Sequence, residues 1–298
     1  MKNTQNALKV VQKNVFIQQY QRRLRTLTFN DLLLFKTIVS KINAKDTLFR
    51  ESYTITYSEL DKAGFCTKDR YRTLNQCLDN LSSVVLEVQN TKKQIVRCGV
   101  IKNHYTFLKR SQEIKIGIYP EMADFLLNIK QKFTMYPLQI LASLNNKYEI
   151  LLYEYFKSIS SMRHQKLSIE TLREILHLNE EYKQIVHLKK LLHRTISKIN
   201  EVTDISVQYK DIKSKRSITG FAFVVMPRDT FNPKDYINKK YLLNNTVIEI
   251  VDIVYKDDGY KIKVQNGAMV GHIQNQSQDR DTFSKDELRD FLQNLMIP

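Results

Sequence analysis

The most regular pattern of apolar and polar positions lies between Tyr182 and Val225. In YKQIVHLKKLLHRTISKINEVTD, the residues Ile185, Leu188, Leu192, Ile196 and Ile199 fall on one helical stripe, which predicts a long helix. Behind it, ISVQYK, a turn region DIKSKRS and ITGFAFVV predict a β-hairpin with a cationic tip.

The preceding stretch reads LSIETLREILHL as a short strand and cap followed by a helix, after an aromatic-rich helix through Tyr148, Leu152, Tyr155 and Ile159. Helix, strand, helix, helix, hairpin is the order of a winged helix, a helix-turn-helix with a β wing. The same order recurs earlier. Its ordered part is expected from Leu27, with Thr28 as cap, Asp31 three residues on and Leu27 with Leu32 as a hydrophobic staple. YTITY then predicts a strand, Ser58 caps a short helix, and TKDRYRTLNQCLDNLSS forms a second helix with Thr67 as its cap. VVLEVQ, QIVRCGVI, HYTFLKR and EIKIGI read as strands. YSELDKAGF aligns with SIETLREILHL and DRYRTLNQCLDNLSSVVLEVQ with HLKKLLHRTISKINEVTDISVQ, which suggests a duplicated domain.

After Pro227 and Pro233 the character changes. TVIEIVDIVY, KDDG and YKIKVQNGAMVGHI read as a hairpin plus a further strand, with Asp258-Gly259 as the tight turn. Ser284 with Glu287 makes a capping box for a last helix, stapled by Phe283 and Leu288. The predicted fold class is therefore α+β: an arm over 1–26, winged helices over 27–130 and 131–231, and a small β-plus-helix appendix over 232–298.

Charge sharpens this division. The chain of 298 residues carries a net charge of +16. Residues 1–130 contribute +11, residues 131–231 contribute +6 and residues 232–298 contribute −1. A basic body recruits a polyanion by counterion release, although a generic basic surface gives the same number. The near-neutral appendix suits protein contact better than DNA contact. There is no apolar run of about eighteen residues and no signal-peptide core, and the three cysteines, Cys66, Cys77 and Cys98, form no CxxC pair. A cytoplasmic protein with reduced thiols is expected.

On the long helix, Lys183, His187, Lys190, Arg194 and Ser197 share one face, all donor-capable and without a carboxylate among them. Such a face suits base edges and phosphates in a major groove, and an arginine reads guanine bidentately. Lys213, Lys215 and Arg216 are wing-tip candidates for phosphate or the minor groove. In the first winged helix, Lys68, Arg70, Arg72 and Asn75 open the analogous helix, with phosphate positioning expected, and Lys92 with Lys93 marks its wing turn. A solvated face or turn explains each of these charges as well. Tyr105, Phe107 and Lys109 alternate as a single-strand binding surface would, and as a half-buried strand would.

These residues carry a resemblance. KYEILLYEYFKSI, LSIETLREILHL, Tyr182 and LKKLLHRTISKINEVTDISVQYK resemble the second winged helix of iteron-binding plasmid replication initiators. SKINEVTDISV is similar to that family's Ile-Asn-x-x-Thr-Asp turn into the wing, and GFAFVV to its last wing strand. Residues 20–120 are similar to the more divergent first domain. Lys198 stands where the family commonly has an acidic residue and joins the candidate DNA contacts, and KSKRSITG replaces the usual Lys-x-Gly-Arg wing. The resemblance implies binding to direct repeats at an origin and to an operator inverted repeat. It also implies opening of adjacent AT-rich DNA, recruitment of the host initiator and helicase, and homodimers, formed through the first domain, in equilibrium with monomers.

Other classes remain as alternatives. A winged-helix transcription repressor shares every element so far. An enzyme is not expected: there is no GxxxxGK[ST] and no His-x-His pair, so no cofactor and no metal are anticipated. A metal-dependent nuclease is the remaining enzymatic alternative, resting on scattered carboxylates.

Overall fold

Local sequence sets the start of most helices. Thr28 is extended and accepts from the Asp31 amide while the Asp31 carboxylate accepts from the Thr28 amide, a reciprocal box that opens α1 (Phe29–Ser40). Leu27 and Leu32 are both buried behind it. After β2 (Tyr53–Thr56), the cap of α2 (Tyr57–Lys62) is Thr56 and not Ser58, because Thr56 is the residue left in extended conformation and its box partner is Glu59. For α3 (Arg70–Ser83) the cap is Asp69, whose carboxylate accepts from the Arg72 amide; the expected cap Thr67 lies outside the described residues.

The computed structural model describes residues 8–65, 68–89, 95–108, 110–178, 182, 184–215, 217–228, 236–243, 246–256, 259–266, 269–272, 283, 287–288 and 291–292. They form two units, Met1–Arg228 and Asp229–Pro298. Order begins ahead of Leu27: β1 (Lys9–Lys13) pairs antiparallel with β7 (Phe133–Pro137), and Phe16 and Leu24 are buried in the same core.

The first helix–strand–helix–helix set continues into a hairpin, β3 (Val85–Gln89) and β4 (Ile95–Gly99), that forms a sheet of its own. Two further strands, β5 (Ile101–Leu108) and β6 (Glu113–Ile118), complete a three-stranded sheet in the order β2-β6-β5. Tyr105 and Phe107 of β5 pack towards α3: the Phe107 ring lies 4.9 Å from that of Tyr71, tilted by 52°, and the Tyr105 hydroxyl donates to Asp79 at 2.7 Å. That pairing supports the half-buried-strand reading of this alternation; Lys109 lies outside the described residues. A short helix, α4 (Ala123–Leu126), leads on to β7.

The second set is α5 (Lys147–Ile159), β8 (His164–Ser168), α6 (Ile169–Leu176), α7 (Ile185–Val202), β9 (Ile205–Ser214) and β10 (Ser217–Pro227). Its sheet runs β8-β10-β9, all antiparallel. The wing strands extend into the polar DIKSKRS stretch that reads as a turn: β9 runs to Ser214 and β10 starts at Ser217. Strand pairing prevails there because backbone hydrogen bonds need no apolar side chains. A bulge at Thr219 precedes Gly220, where a Cβ would lie 2.4 Å from the Leu167 carbonyl oxygen; only glycine admits so close a backbone crossing.

One hydrophobic core runs through both sets. Inside it lies a polar cluster. Lys36 of α1 and Glu154 of α5 are fully buried and 2.8 Å apart. The Lys36 ammonium also donates to Gln12 and Gln21, both of whose amides donate to Glu154, as does the Tyr136 hydroxyl. Buried charges persist only when satisfied in this way.

The second unit has its own core, including Tyr241, Ile250, Ile262, Phe283 and Leu288. Its sheet is β11 (Lys239–Leu243), β12 (Thr246–Lys256), β13 (Gly259–Asn266) and β14 (Met269–His272), in sequential order. The expected hairpin and further strand are present, with β11 as an additional edge. Asp258 and Ser284 lie outside the described residues.

Candidate nucleic-acid interface

The long helix buries Leu188, Leu191, Leu192, Ile196 and Ile199, close to the stripe read from sequence. His187, Lys190, Arg194 and Ser197 are exposed. At about 100° per residue they occupy an arc of about 80°. From His187 to Ser197 the face is about 15 Å long. Glu201 falls in the same arc, one turn beyond Ser197, and is exposed, so the carboxylate-free face ends there. The donor pattern from Lys183 to Ser197 does not announce this limit. Lys198 lies at the edge of the face, half-buried, its ammonium 3.6 Å from the Glu201 carboxylate. Lys183 lies outside the described residues.

Two sets of contacts aim this helix. At its N-terminal end, the Arg173 guanidinium donates to the Tyr182 carbonyl at 2.9 Å, and the Tyr182 ring meets Tyr148 edge-on. At its C-terminal end, Asn200, Thr203 and Asp204 of the INEVTD run make the contacts. The Asn200 amide donates to the Val207 carbonyl and accepts from the Val207 amide, at 2.9 and 2.7 Å. The Thr203 hydroxyl donates to the Ile199 carbonyl. Asp204 accepts from the Tyr153 hydroxyl and from Lys157 of α5. Arg228 donates to the carbonyls of Asn200 and Glu201. The run therefore fixes the angle between helix and wing. Lys189, which sequence reading left unassigned, adds a strut: it pairs with Asp211 of β9 at 2.8 Å, and that hydrogen bond raises its pKa.

At the wing tip Lys213 and Lys215 are exposed, and Lys215 takes a left-handed φ of 53°. Arg216 lies outside the described residues, as do Lys92 and Lys93 of the first wing. Lys68, just ahead of α3, and Arg72 on it are exposed, and Asn75 is half-buried. Arg70 is already engaged, paired with Asp61 and lying 5.2 Å over the Tyr57 ring. The Asp69 cap also places a carboxylate where a phosphate was expected to meet free amides. This N-terminus is therefore less suited to an anion than its sequence suggests. The α3 face is weaker in free charge than the α7 face.

Among the described residues, no group of three or more His, Cys, Asp or Glu is placed to hold a metal ion, and no helix is long and apolar enough to cross a membrane. Cys77 and Cys98 are free and buried; burial pushes both thiols up, Cys98 to about 11.

Comparison with known proteins gives a consistent outcome. The family "Initiator Replication protein, WH1" matches residues 9–157 and "Initiator Rep protein, WH2" matches residues 168–225. The first match begins at β1 and runs into α5. No curated protein sequence matches. Among solved structures, one described as "Crystal structure of Pi initiator protein in complex with iteron DNA" superposes with a TM-score of 0.62 at 17% identity, covering 75% of this chain and 99% of that one. At that identity the likeness concerns the fold: two winged helices, as read from element order.

Proposed function

Because this chain belongs to the family of winged-helix initiator replication proteins, we propose that it is a plasmid replication initiator that binds direct repeats at an origin. The observation that carries this reading is the exposed face of His187, Lys190, Arg194 and Ser197 on a helix braced at both ends beside a cationic wing. A face about 15 Å long on one helix side matches the length of helix that a major groove about 12 Å wide admits. Arg194 and Lys190 are assigned to base edges or adjacent phosphates, and Lys213, Lys215 and Arg216 to the flanking backbone. Lys68, Arg72 and Asn75 of the first winged helix position phosphates. The fold likeness to a protein solved with iteron DNA supports the duplex as ligand.

On this reading the protein opens adjacent AT-rich DNA and recruits the host initiator and helicase. Its first winged helix (27–130) supplies a homodimer contact, and its second (131–231) reads sequence. It acts in the cytoplasm, and no step of this role needs a catalytic residue, cofactor or metal.

Footprinting the DNA that flanks the coding sequence tests the proposal. Protected sites repeated head to tail, about two helical turns apart, with permanganate-reactive thymines in the neighbouring AT-rich stretch, are expected. A single palindromic footprint without melting would replace it with the repressor reading.

A further inference from the structure

The end of the second winged helix opposite the wing tip carries a second surface. Val225 of β10 donates to the Arg163 carbonyl at 2.8 Å, so Met162 and its neighbours lie beside the base of the wing. Ser217 opens the same strand at the tip, eight residues away, which is about 26 Å at about 3.3 Å per residue. Beside Met162 a cleft of about 690 Å³ opens between the end of α5, the turn at 128–132 and the segment after β1. Lys13, Lys130 and Lys132 line it, with Val15 and Met162 as its apolar members, and among the described residues no carboxylate lines it. None of the three lysines has an ion-pair partner among the described residues.

The walls are held in place. Asn14 donates from its backbone to the Lys132 carbonyl and from its side chain to the Ser158 carbonyl, at 2.8 and 2.9 Å. Gln18 donates to the Ser158 hydroxyl at 3.1 Å, and Thr134 donates to Asn14 at 2.8 Å. The cleft continues onto the outer face of the β1–β7 ribbon through Lys13, which sits opposite Phe133. On that ribbon Val10, Gln12, Thr134 and Tyr136 point inward and are buried, leaving Phe133 and Met135 exposed at 40% and 46% on the other side. Val15 and Met162 are exposed as well, at 36% and 56%. Large apolar side chains beside three lysines with no ion-pair partner among the described residues are unlike a duplex-binding face, which needs donors and cations but no apolar floor. They are what an amphipathic acidic segment would cover.

We propose that this cleft and the ribbon face beside it form a docking site for an acidic segment of a partner protein, anchored by a large apolar side chain. The lysines receive its carboxylates, and Val15, Met162, Phe133 and Met135 receive its anchor. The location follows from topology: a partner seated at the base of the wing leaves the α7 face and the wing tip free. The site thus rests on the initiator reading only for the idea that DNA occupies the other end.

The test uses the full chain and a short fluorescein-labelled peptide rich in glutamate that carries leucine and phenylalanine anchors. One control peptide has the anchors changed to serine, and a second has glutamine for glutamate. Fluorescence anisotropy is expected to show binding of the first peptide alone. Lys130→Glu with Lys132→Glu, and separately Met162→Asp, should weaken that binding by about tenfold or more. Both variants should keep the wild-type melting temperature and repeat-duplex affinity. Equal binding of the serine control would reduce the surface to generic attraction of polyanions and overturn the proposal. So would undiminished peptide binding by the variants, or no binding by the wild type. If the variants lose duplex affinity in step with peptide affinity, the cleft is a DNA contact and the proposal fails in favour of that. A wild type that binds the peptide but no duplex would sink the initiator reading and leave this site standing.

Discussion

Lys36 Nζ stands 2.8 Å from Glu154 Oε1, and neither side chain reaches solvent. One belongs to the first helix of the first winged-helix set and the other to the first helix of the second. Burial lowers the Lys36 pKa, and the Glu154 carboxylate beside it opposes that shift. Gln12, Gln21 and Tyr136 complete the cluster. The two winged helices are therefore joined by their core and by a satisfied ion pair within it, and not by a linker alone.

Breaking that pair is costly because it strands a charge. Lys36→Met is expected to destabilise the protein by about 3–5 kcal/mol in urea unfolding. A loss below about 1 kcal/mol would mean that Glu154 tolerates the loss of its partner, contrary to its burial.

Thr195 offers the opposite case. It is buried on the core side of α7, and its hydroxyl has no hydrogen-bond partner among the described residues. Thr195→Val keeps the shape and removes the unsatisfied group, so a gain of about 1 kcal/mol is expected. Thermal denaturation checks it, and a lower Tm would show that the hydroxyl has a partner in solution.

His177 ties stability to pH. It caps α6 in left-handed conformation, and its Nε2–H donates to the Gln21 carbonyl at 2.9 Å. Burial holds its pKa down to about 4, against an ordinary 6.5, with Lys147 and Arg25 adding to the depression and the Gln21 carbonyl opposing it. The unfolded chain takes up the proton near pH 6.5 and the folded chain only near 4. Stability from this group is therefore complete above 6.5 and is lost as pH falls towards 4, by about 3 kcal/mol. His177→Asn, which keeps the left-handed preference, should flatten that part of the pH profile of urea midpoints. Parallel profiles for wild type and variant would contradict the assignment.

Much of this was legible in the chain. The Thr28–Asp31 box, the apolar stripe of α7 and the order of the second set follow from spacing alone, because capping and periodicity are local. What escaped the sequence depends on distant partners. β1 pairs with a strand more than a hundred residues away, and nothing within KVVQK announces it. Lys36, a lysine within an apolar helix, reads as a solvated charge until Glu154 is placed beside it. Ser58 and Thr56 are equal as caps by chemistry, and backbone conformation chose Thr56. On α3, Arg70 faces Asp61, which spacing along the chain does not reveal.

The charge division gives a separate expectation. Residues 232–298 carry a net −1. A protein lacking residues 232–298 should show the same log–log salt slope of duplex binding as the full chain, measured by anisotropy from low to moderate salt. A clearly smaller slope would place the second unit on phosphate.

The central claim is that the His187–Lys190–Arg194 face reads sequence. Its most direct test is the affinity of Arg194→Ala for a duplex carrying the direct repeats, set against its affinity for a random duplex of equal length at one salt concentration. The account predicts a loss of about 1–3 kcal/mol on the repeats, with a much smaller loss on the random duplex. Equal losses on both would show that Arg194 meets only the backbone and would contradict it.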